Sequence, residues 1–153
     1  MFLIGLNEET DYLLTYSDEN RFTASQEADF LQRKTDSANN VEIIAVVDDV
    51  VAGTAGIDAL GMRDKIKHRA VFGIAITKEF WGLGIGKYLM EACIECAREA
   101  GYLQLELEVV AENERAVEMY RRAGFIEYGR NPKAFRLRTG EYQELIDMRL
   151  ELK

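Results

Sequence analysis

From Leu103 to Val110 the chain alternates: Leu103, Leu105, Leu107 and Val109 are apolar, and Gln104, Glu106 and Glu108 stand between them. A period of two puts alternate side chains on opposite faces of a pleat, so this segment predicts a strand with one core face and one polar face. Upstream, Ile85, Tyr88, Leu89, Ala92, Cys93, Cys96, Ala97 and Ala100 recur at helical spacing, and Gly101 stands where a left-handed C-terminal cap belongs. Ala70 to Ile76 forms a strand-like run before that helix. Strand, helix and strand within about 40 residues predict a βαβ unit whose two strands run parallel.

The remaining elements follow the same logic. Val41 to Val47 is rich in β-branched residues, stops at Asp48-Asp49 and resumes from Val50 to Ala59, which predicts a hairpin. Asp11 to Thr35 reads as mostly helical, with Phe22, Ala28, Phe30 and Leu31 among charged neighbours and a break at Asn39-Asn40. Asn113 is an N-cap for a helix from Glu114 to Ala123, whose inward positions are Ala116, Val117, Tyr120 and Ala123 and whose end is Gly124. Two more strands follow, Phe125 to Arg138, broken near Asn131-Pro132, and Tyr142 to Leu150, joined at Thr139-Gly140. Mixed strands and helices with a hairpin at each end predict an α+β class. With no repeat, linker or shift in composition, residues 1–153 are expected to form a single domain.

Composition narrows the function classes. Apolar residues make up 48% of the chain and charged residues 30%, with no uncharged apolar run long enough to span a bilayer, so a compact domain without a membrane span is expected. The net charge of −8 argues against bulk attraction to nucleic acid or anionic lipid and mildly favours a cationic partner. The start, MFLIGLNEETD, lacks a basic stretch and a full apolar segment, and a cytoplasmic location is expected. Cys93 and Cys96 form a C-x-x-C spacing, but both fall on the apolar stripe of their helix, where a free cysteine packs as a small hydrophobe. No second cysteine pair exists and His68 is the only histidine, so neither a zinc site nor a histidine triad is expected.

Candidate chemistry centres on glycines 82, 84 and 86, between the strand and the helix of the βαβ unit. Such a turn lets backbone N–H groups at a helix N-terminus face an anion, with phosphate or pyrophosphate as the natural guest, although tight strand-to-helix packing would use the same glycines. A Walker A loop would need glycine at Trp81 and Ser or Thr at Tyr88, and a dinucleotide fingerprint would need glycine at Lys87. Neither nucleotide motif is met.

The segment GIAITKEFWGLGIGKYLM, from Gly73, resembles the acyl-CoA-binding motif Q/R-x-x-G-x-G/A of the GNAT superfamily of N-acetyltransferases. VVAEN, from Val109, and AVEMYRRAGF, from Ala116, resemble that family's second motif in the right order and context. The resemblance runs from about residue 41 to the end, and the closing strand GEYQELIDM, from Gly140, is similar to that of bacterial members acting on amino groups of small molecules or proteins. It implies a central mixed, mostly antiparallel sheet flanked by helices, with the parallel βαβ unit at the acyl-CoA site. The implied activity is transfer of the acetyl group of acetyl-CoA, as cosubstrate and without a metal, to a primary amine of a small molecule or protein in a ternary complex. A CoA-binding regulatory or interaction module with little turnover is the alternative, and a homodimer through the C-terminal strands fits the family.

The same resemblance assigns residues. Backbone groups of Ile74, Ala75 and Ile76 would bond the pantetheine arm, as an added strand does. Amides of Leu83, Gly84, Ile85 and Gly86 would cradle the pyrophosphate with Lys87 nearby, while Trp81 occupies the motif position usually held by Gln or Arg. Asn113 would lie beside the CoA arm, and Tyr120 would protonate the departing thiolate, as a phenol with an ordinary pKa near 10 can. Glu108, or its neighbour Glu106, is the candidate base for the attacking amine, against the alternative that both are solvated strand charges. Only six residues precede Asn7, so the family's first strand is expected to be short or missing, in a region that helps to form the acceptor pocket.

Overall fold

The computed structural model describes residues 12–14, 16, 18–19 and 23–153. Its strands are β1 (Val41–Val47), β2 (Val50–Ala59), β3 (Arg69–Ile76), β4 (Gln104–Val110), β5 (Ile126–Arg136) and β6 (Tyr142–Glu151). Its α-helices among the described residues are α1 (Ala24–Thr35), α2 (Ile85–Glu99) and α3 (Glu114–Arg122). The strands form one sheet in the order β1-β2-β3-β4-β6-β5. Every neighbouring pair is antiparallel except β3 with β4, the parallel pair joined by α2. The expected α+β class and βαβ unit are therefore present. The first strand expected within Met1 to Leu6 lies outside the described residues.

Local chemistry sets the boundaries. Asp48 and Asp49 adopt φ values of 48° and 63°, the left-handed pair that a two-residue hairpin requires, and β1 and β2 close around them through Val47 and Val50. Of the helix expected over Asp11 to Thr35, the described residues show Ala24–Thr35, which Thr23 starts with a capping box: its hydroxyl accepts from the Gln26 amide and the Gln26 side chain accepts from the Thr23 amide. Tyr12, Leu13 and Leu14 form a turn and bend instead of helix. The break expected near Asn131-Pro132 takes the form of a register irregularity between Asn131 and Phe135 inside a continuous β5, where proline's missing N–H is tolerated at a sheet edge.

The two faces of the sheet differ as the alternation in β4 requires. Leu105, Leu107 and Val109 join Ala55, Ile57, Phe72, Ile146 and Met148 in a core covered by Leu89, Met90, Cys93 and Ala97 of α2 and by Val117 and Tyr120 of α3. Cys93 is fully buried within this layer and burial pushes its thiol up to about 12; Cys96 is half-buried and both thiols are free. Glycine and alanine at Gly53 and Ala55 let α2 sit close on β2, since a Cβ on Gly53 would stand 3.3 Å from Leu89 Cδ1. No helix among the described residues is long and apolar enough to cross a membrane.

The opposite face carries ion pairs. Lys34 of α1 reaches Glu42 at 2.8 Å and Asp58 at 3.1 Å. Glu106 is 7% exposed and is held by Arg69, whose Nε and Nη2 donate to it at 2.5 and 2.9 Å. Burial alone would raise its pKa, but the bonds from Arg69 and Gln104 and the Arg69 charge hold it below the ordinary 4.5. A depressed carboxyl stabilises the fold above its unfolded-state value and loses that contribution as pH falls through the lowered folded-state value. Glu106→Gln, which strips Arg69 of its anion, is expected to cost about 1–3 kcal/mol at neutral pH. Urea unfolding at neutral pH and in mild acid checks this: the gap between variant and wild type is expected to narrow as the acid protonates Glu106.

Candidate active site

Strands β3 and β4 pair over only Arg69↔Gln104, Ala70↔Leu105 and Val71↔Glu106. Beyond Val71 each stays with its antiparallel partner, β3 with β2 as far as Ile76↔Gly53 and β4 with β6 as far as Val110↔Leu145. The sheet thus opens into a wedge. A cavity of about 860 Å³ fills it, lined on one side by Phe72 to Ile76 and on the other by Glu108 to Val110. Ile74, Ala75 and Ile76, all half-buried, therefore line the cavity along a strand edge that lacks a neighbouring strand.

The glycine loop closes one end. After Ile76 the chain makes a 3₁₀ turn over Lys78–Phe80, which the sequence pattern had not signalled. Trp81 then folds back, and its Nε1 donates to the Ile76 carbonyl at 2.8 Å. Gly82 and Gly84 have φ of 77° and 82°, a region where a side chain is strained, and Gly84 is the N-cap of α2 without any side-chain cap. The first bond of the helix runs from the Tyr88 amide to the Gly84 carbonyl at 3.3 Å, so the amides of Ile85, Gly86 and Lys87 have no acceptor within the helix. Gly86 serves packing as well: a Cβ there would meet Ile76 Cδ1 at 3.0 Å and Met119 Sδ at 3.1 Å. Gly84, Ile85, Gly86 and Lys87 line the cavity, whereas the Leu83 side chain is exposed and stands outside its lining.

Helix α3 supplies the floor. Asn113 lines the cavity and also caps this helix, its Oδ1 accepting from the Ala116 amide at 3.3 Å, so both readings of that residue have a physical basis. Tyr120 is 6% exposed and packs edge-on against Phe72, with ring centroids 6.1 Å apart, and against Phe125 at 5.8 Å. Phe72 is the first β3 residue past the last paired one, which puts the Tyr120 ring where the strands part. Its hydroxyl has no hydrogen-bond partner among the described residues, and burial raises its pKa above the ordinary 10. The two candidate bases separate. Glu108 is exposed and lines the cavity; Glu106 does not line it and is committed to Arg69.

The model of the acetyltransferase (GNAT) family matches residues 8–125. This chain belongs to the GNAT acetyltransferase family. It is 31% identical over 118 residues to the L-amino acid N-acetyltransferase of Escherichia coli K12, covering 76% of this chain and 72% of that protein. Its fold is similar to that of a GNAT-family acetyltransferase from Streptococcus pneumoniae, with a TM-score of 0.92 at 28% identity over 98% of this chain and 89% of the other. It is also similar in fold to yncA of Salmonella typhimurium, solved with its cofactor acetyl-CoA, with a TM-score of 0.86 at 15% identity over 99% of this chain and 84% of the other.

Other residues that line the cavity of this GNAT chain escaped the sequence reading. Arg115 and Met119 come from α3, Phe135 from β5, and Tyr12, Leu13 and Leu14 from the N-terminal segment. That segment is moored to the turn between β5 and β6, where the Tyr16 hydroxyl accepts from the Arg138 amide at 3.0 Å and Asp18 pairs with the Arg138 guanidinium at 2.9 Å. Only Arg115 carried a local signal, a cation in the first turn of a helix, against the helix dipole. The left-handed backbone at Gly84 makes a direct prediction. Gly84→Ala is expected to lower stability by about 1–2 kcal/mol, and Gly101→Ala, at φ 84° in open space, by a similar amount, as thermal unfolding of both variants would report.

Proposed function

We propose that this GNAT acetyltransferase transfers the acetyl group of acetyl-CoA to a primary amine by direct attack within a ternary complex. The observation that carries the reading is the convergence, in one cavity, of a strand edge without a neighbouring strand, helix N-terminal amides without an acceptor in their helix, and a buried phenol. Each suits a different part of an acyl-CoA. The edge of Ile74, Ala75 and Ile76 matches the amides of a pantetheine arm, and the amides at Leu83 to Lys87 match a diphosphate. Lys87, itself 3.8 Å from Glu91, adds positive charge on that side.

Within this reading the roles follow from position. The amine nitrogen attacks the thioester carbonyl carbon, the carbon–sulfur bond breaks, and Tyr120 Oη gives its proton to the sulfur that leaves. Burial keeps the phenol protonated across neutral and alkaline pH, so it is available as an acid; the same dry surroundings raise the proton affinity of a neighbouring thiolate. Glu108 takes the proton that the attacking amine releases, directly or through a water. Asn113 orients the donor arm beside it.

The charges in the cavity also bear on the acceptor. Among the lining residues the cations Lys87 and Arg115 stand by the glycine loop, Glu112 and Glu114 closely precede Arg115 in the chain, and Glu108 stands on the polar face of β4. A cationic amine therefore meets a carboxylate where it would enter, which favours polyamines and basic protein or peptide amino groups over acceptors that carry their own carboxylate.

Steady-state assay of thiol release with a panel of amines tests the proposal. Tyr120→Phe is expected to lower kcat about 10²- to 10⁴-fold with little change in affinity for acetyl-CoA. Glu108→Gln is expected to lower the rate at neutral pH and to recover as pH rises through the amine's own pKa, because a neutral amine has less need of a base. Binding of acetyl-CoA without release of thiol by the wild type for any amine would reassign the chain as a CoA-binding module.

A further inference from the structure

The position at which the GNAT loop motif usually carries Gln or Arg holds Trp81, whose side chain has no charge to offer a phosphate. Its indole is nevertheless fixed, with the backbone amide donating to Lys78 O at 3.2 Å and Nε1 donating to Ile76 O at 2.8 Å. The Arg115 guanidinium lies over that ring, its central carbon 5.6 Å from the centroid. An Arg115 terminal nitrogen is also 3.8 Å from where a Cβ on Gly82 would stand, so the guanidinium and the bare backbone of the loop come to one place. Trp81, Gly82 and Arg115 all line the cavity.

Apart from that contact with the Trp81 ring, the helix itself gives Arg115 no stabilisation. It occupies the first turn of α3, where a positive charge opposes the helix dipole. Among the described residues it forms no ion pair, although Glu112 and Glu114 are its close neighbours along the chain. Arg121 and Arg122, further along the same helix, pair with Glu127 at 3.6 Å and Glu118 at 2.9 Å. Lys87, the other cation in the cavity, opens α2 in the same unfavourable sense. A chain of net charge −8 thus brings two helix N-termini and two cations, with Glu112 and Glu114 closely preceding Arg115 in the chain, to the lining of one cavity.

We propose that Arg115, held on the face of Trp81, is the side chain that meets the diphosphate of the acyl donor, taking over from the loop residue that Trp81 replaces. The cation–π contact with an anchored indole restrains the guanidinium, so its N–H fork reaches the phosphate with less loss of freedom than a lysine would suffer. The assignment rests on the reading of the cavity as an acyl-CoA site.

Calorimetric titration of CoA and of dephospho-CoA, which keeps the diphosphate and lacks the 3′-phosphate, into the wild type, Arg115→Gln, Arg115→Lys, Trp81→Ala and the Trp81→Ala/Arg115→Gln double variant tests it. Arg115→Gln is expected to weaken both ligands by about 10- to 100-fold, with Arg115→Lys between it and the wild type. The losses from Trp81→Ala and Arg115→Gln are expected to be less than additive in the double variant, a coupling that a merely structural role for either residue would not produce. Unliganded thermal midpoints are expected to stay unchanged for Arg115→Gln, because the side chain is exposed. Affinities of Arg115→Gln within about twofold of the wild type for both ligands would overturn the proposal. So would a loss confined to CoA, which would move the contact to the 3′-phosphate. A wild type that binds neither ligand would overturn the reading of the cavity itself, and the assignment with it.

Discussion

The site depends on a competition between strand edges. A strand has two, and β3 gives one to β2 for its whole length while β4 gives one to β6 for its whole length. The edges that remain face each other and pair only as far as Val71↔Glu106, because the two antiparallel halves then diverge. Antiparallel pairing is somewhat the stronger per residue, so when the halves part it is the parallel contact that yields. What a regular sheet would bury as ladder hydrogen bonds is left as a row of main-chain groups facing a cavity. The wedge, the cavity and the exposure of the β3 edge all follow from that one unfinished pairing.

Electrostatics then gives the wedge a direction. Both helices that border it, α2 and α3, point their N-termini inward, and each places a cation in its first turn. Such arrangements work against helix stability and are sustained by the packing of the rest of each helix, Leu89, Met90, Cys93 and Ala97 in α2 and Val117 and Tyr120 in α3. Across the sheet, the acidic residues divide by environment. Glu106 sits against Arg69 and Gln104 and is spent on the fold, whereas Glu108, two residues on and on the same face, lines the cavity and forms no ion pair among the described residues.

Several residues serve fold and site together. Asn113 caps α3 and lines the cavity, Gly86 admits Ile76 and Met119 and leaves its amide without an acceptor in the helix, and Tyr120 fills an aromatic cluster with Phe72 and Phe125 while its hydroxyl has no hydrogen-bond partner among the described residues. This overlap is why the packing and the chemical readings of these positions could not be separated from the sequence: the same atoms answer to both.

The sequence by itself determined what depends on near neighbours along the chain. Alternation set the two faces of β4, helical spacing found Leu89, Cys93 and Ala97 of the buried stripe of α2 but placed the exposed Tyr88 and Ala100 on it and left out Met90 and Ile94, and the glycines and aspartates marked the turns, because strand pleat, helix pitch and positive φ are local properties. The quoted motifs likewise sufficed to identify the family, since order and spacing are linear features. The tertiary structure alone decided which carboxylate is consumed, because Arg69 reaches Glu106 across 37 positions of sequence. It also decided that a tryptophan in the loop and an arginine in a later helix form one unit, and that Tyr16 and Asp18 of the N-terminal segment are moored at Arg138. These are contacts between distant segments, and they depend on which strand edges are already taken and where the helices come to rest, information that no window along the chain contains.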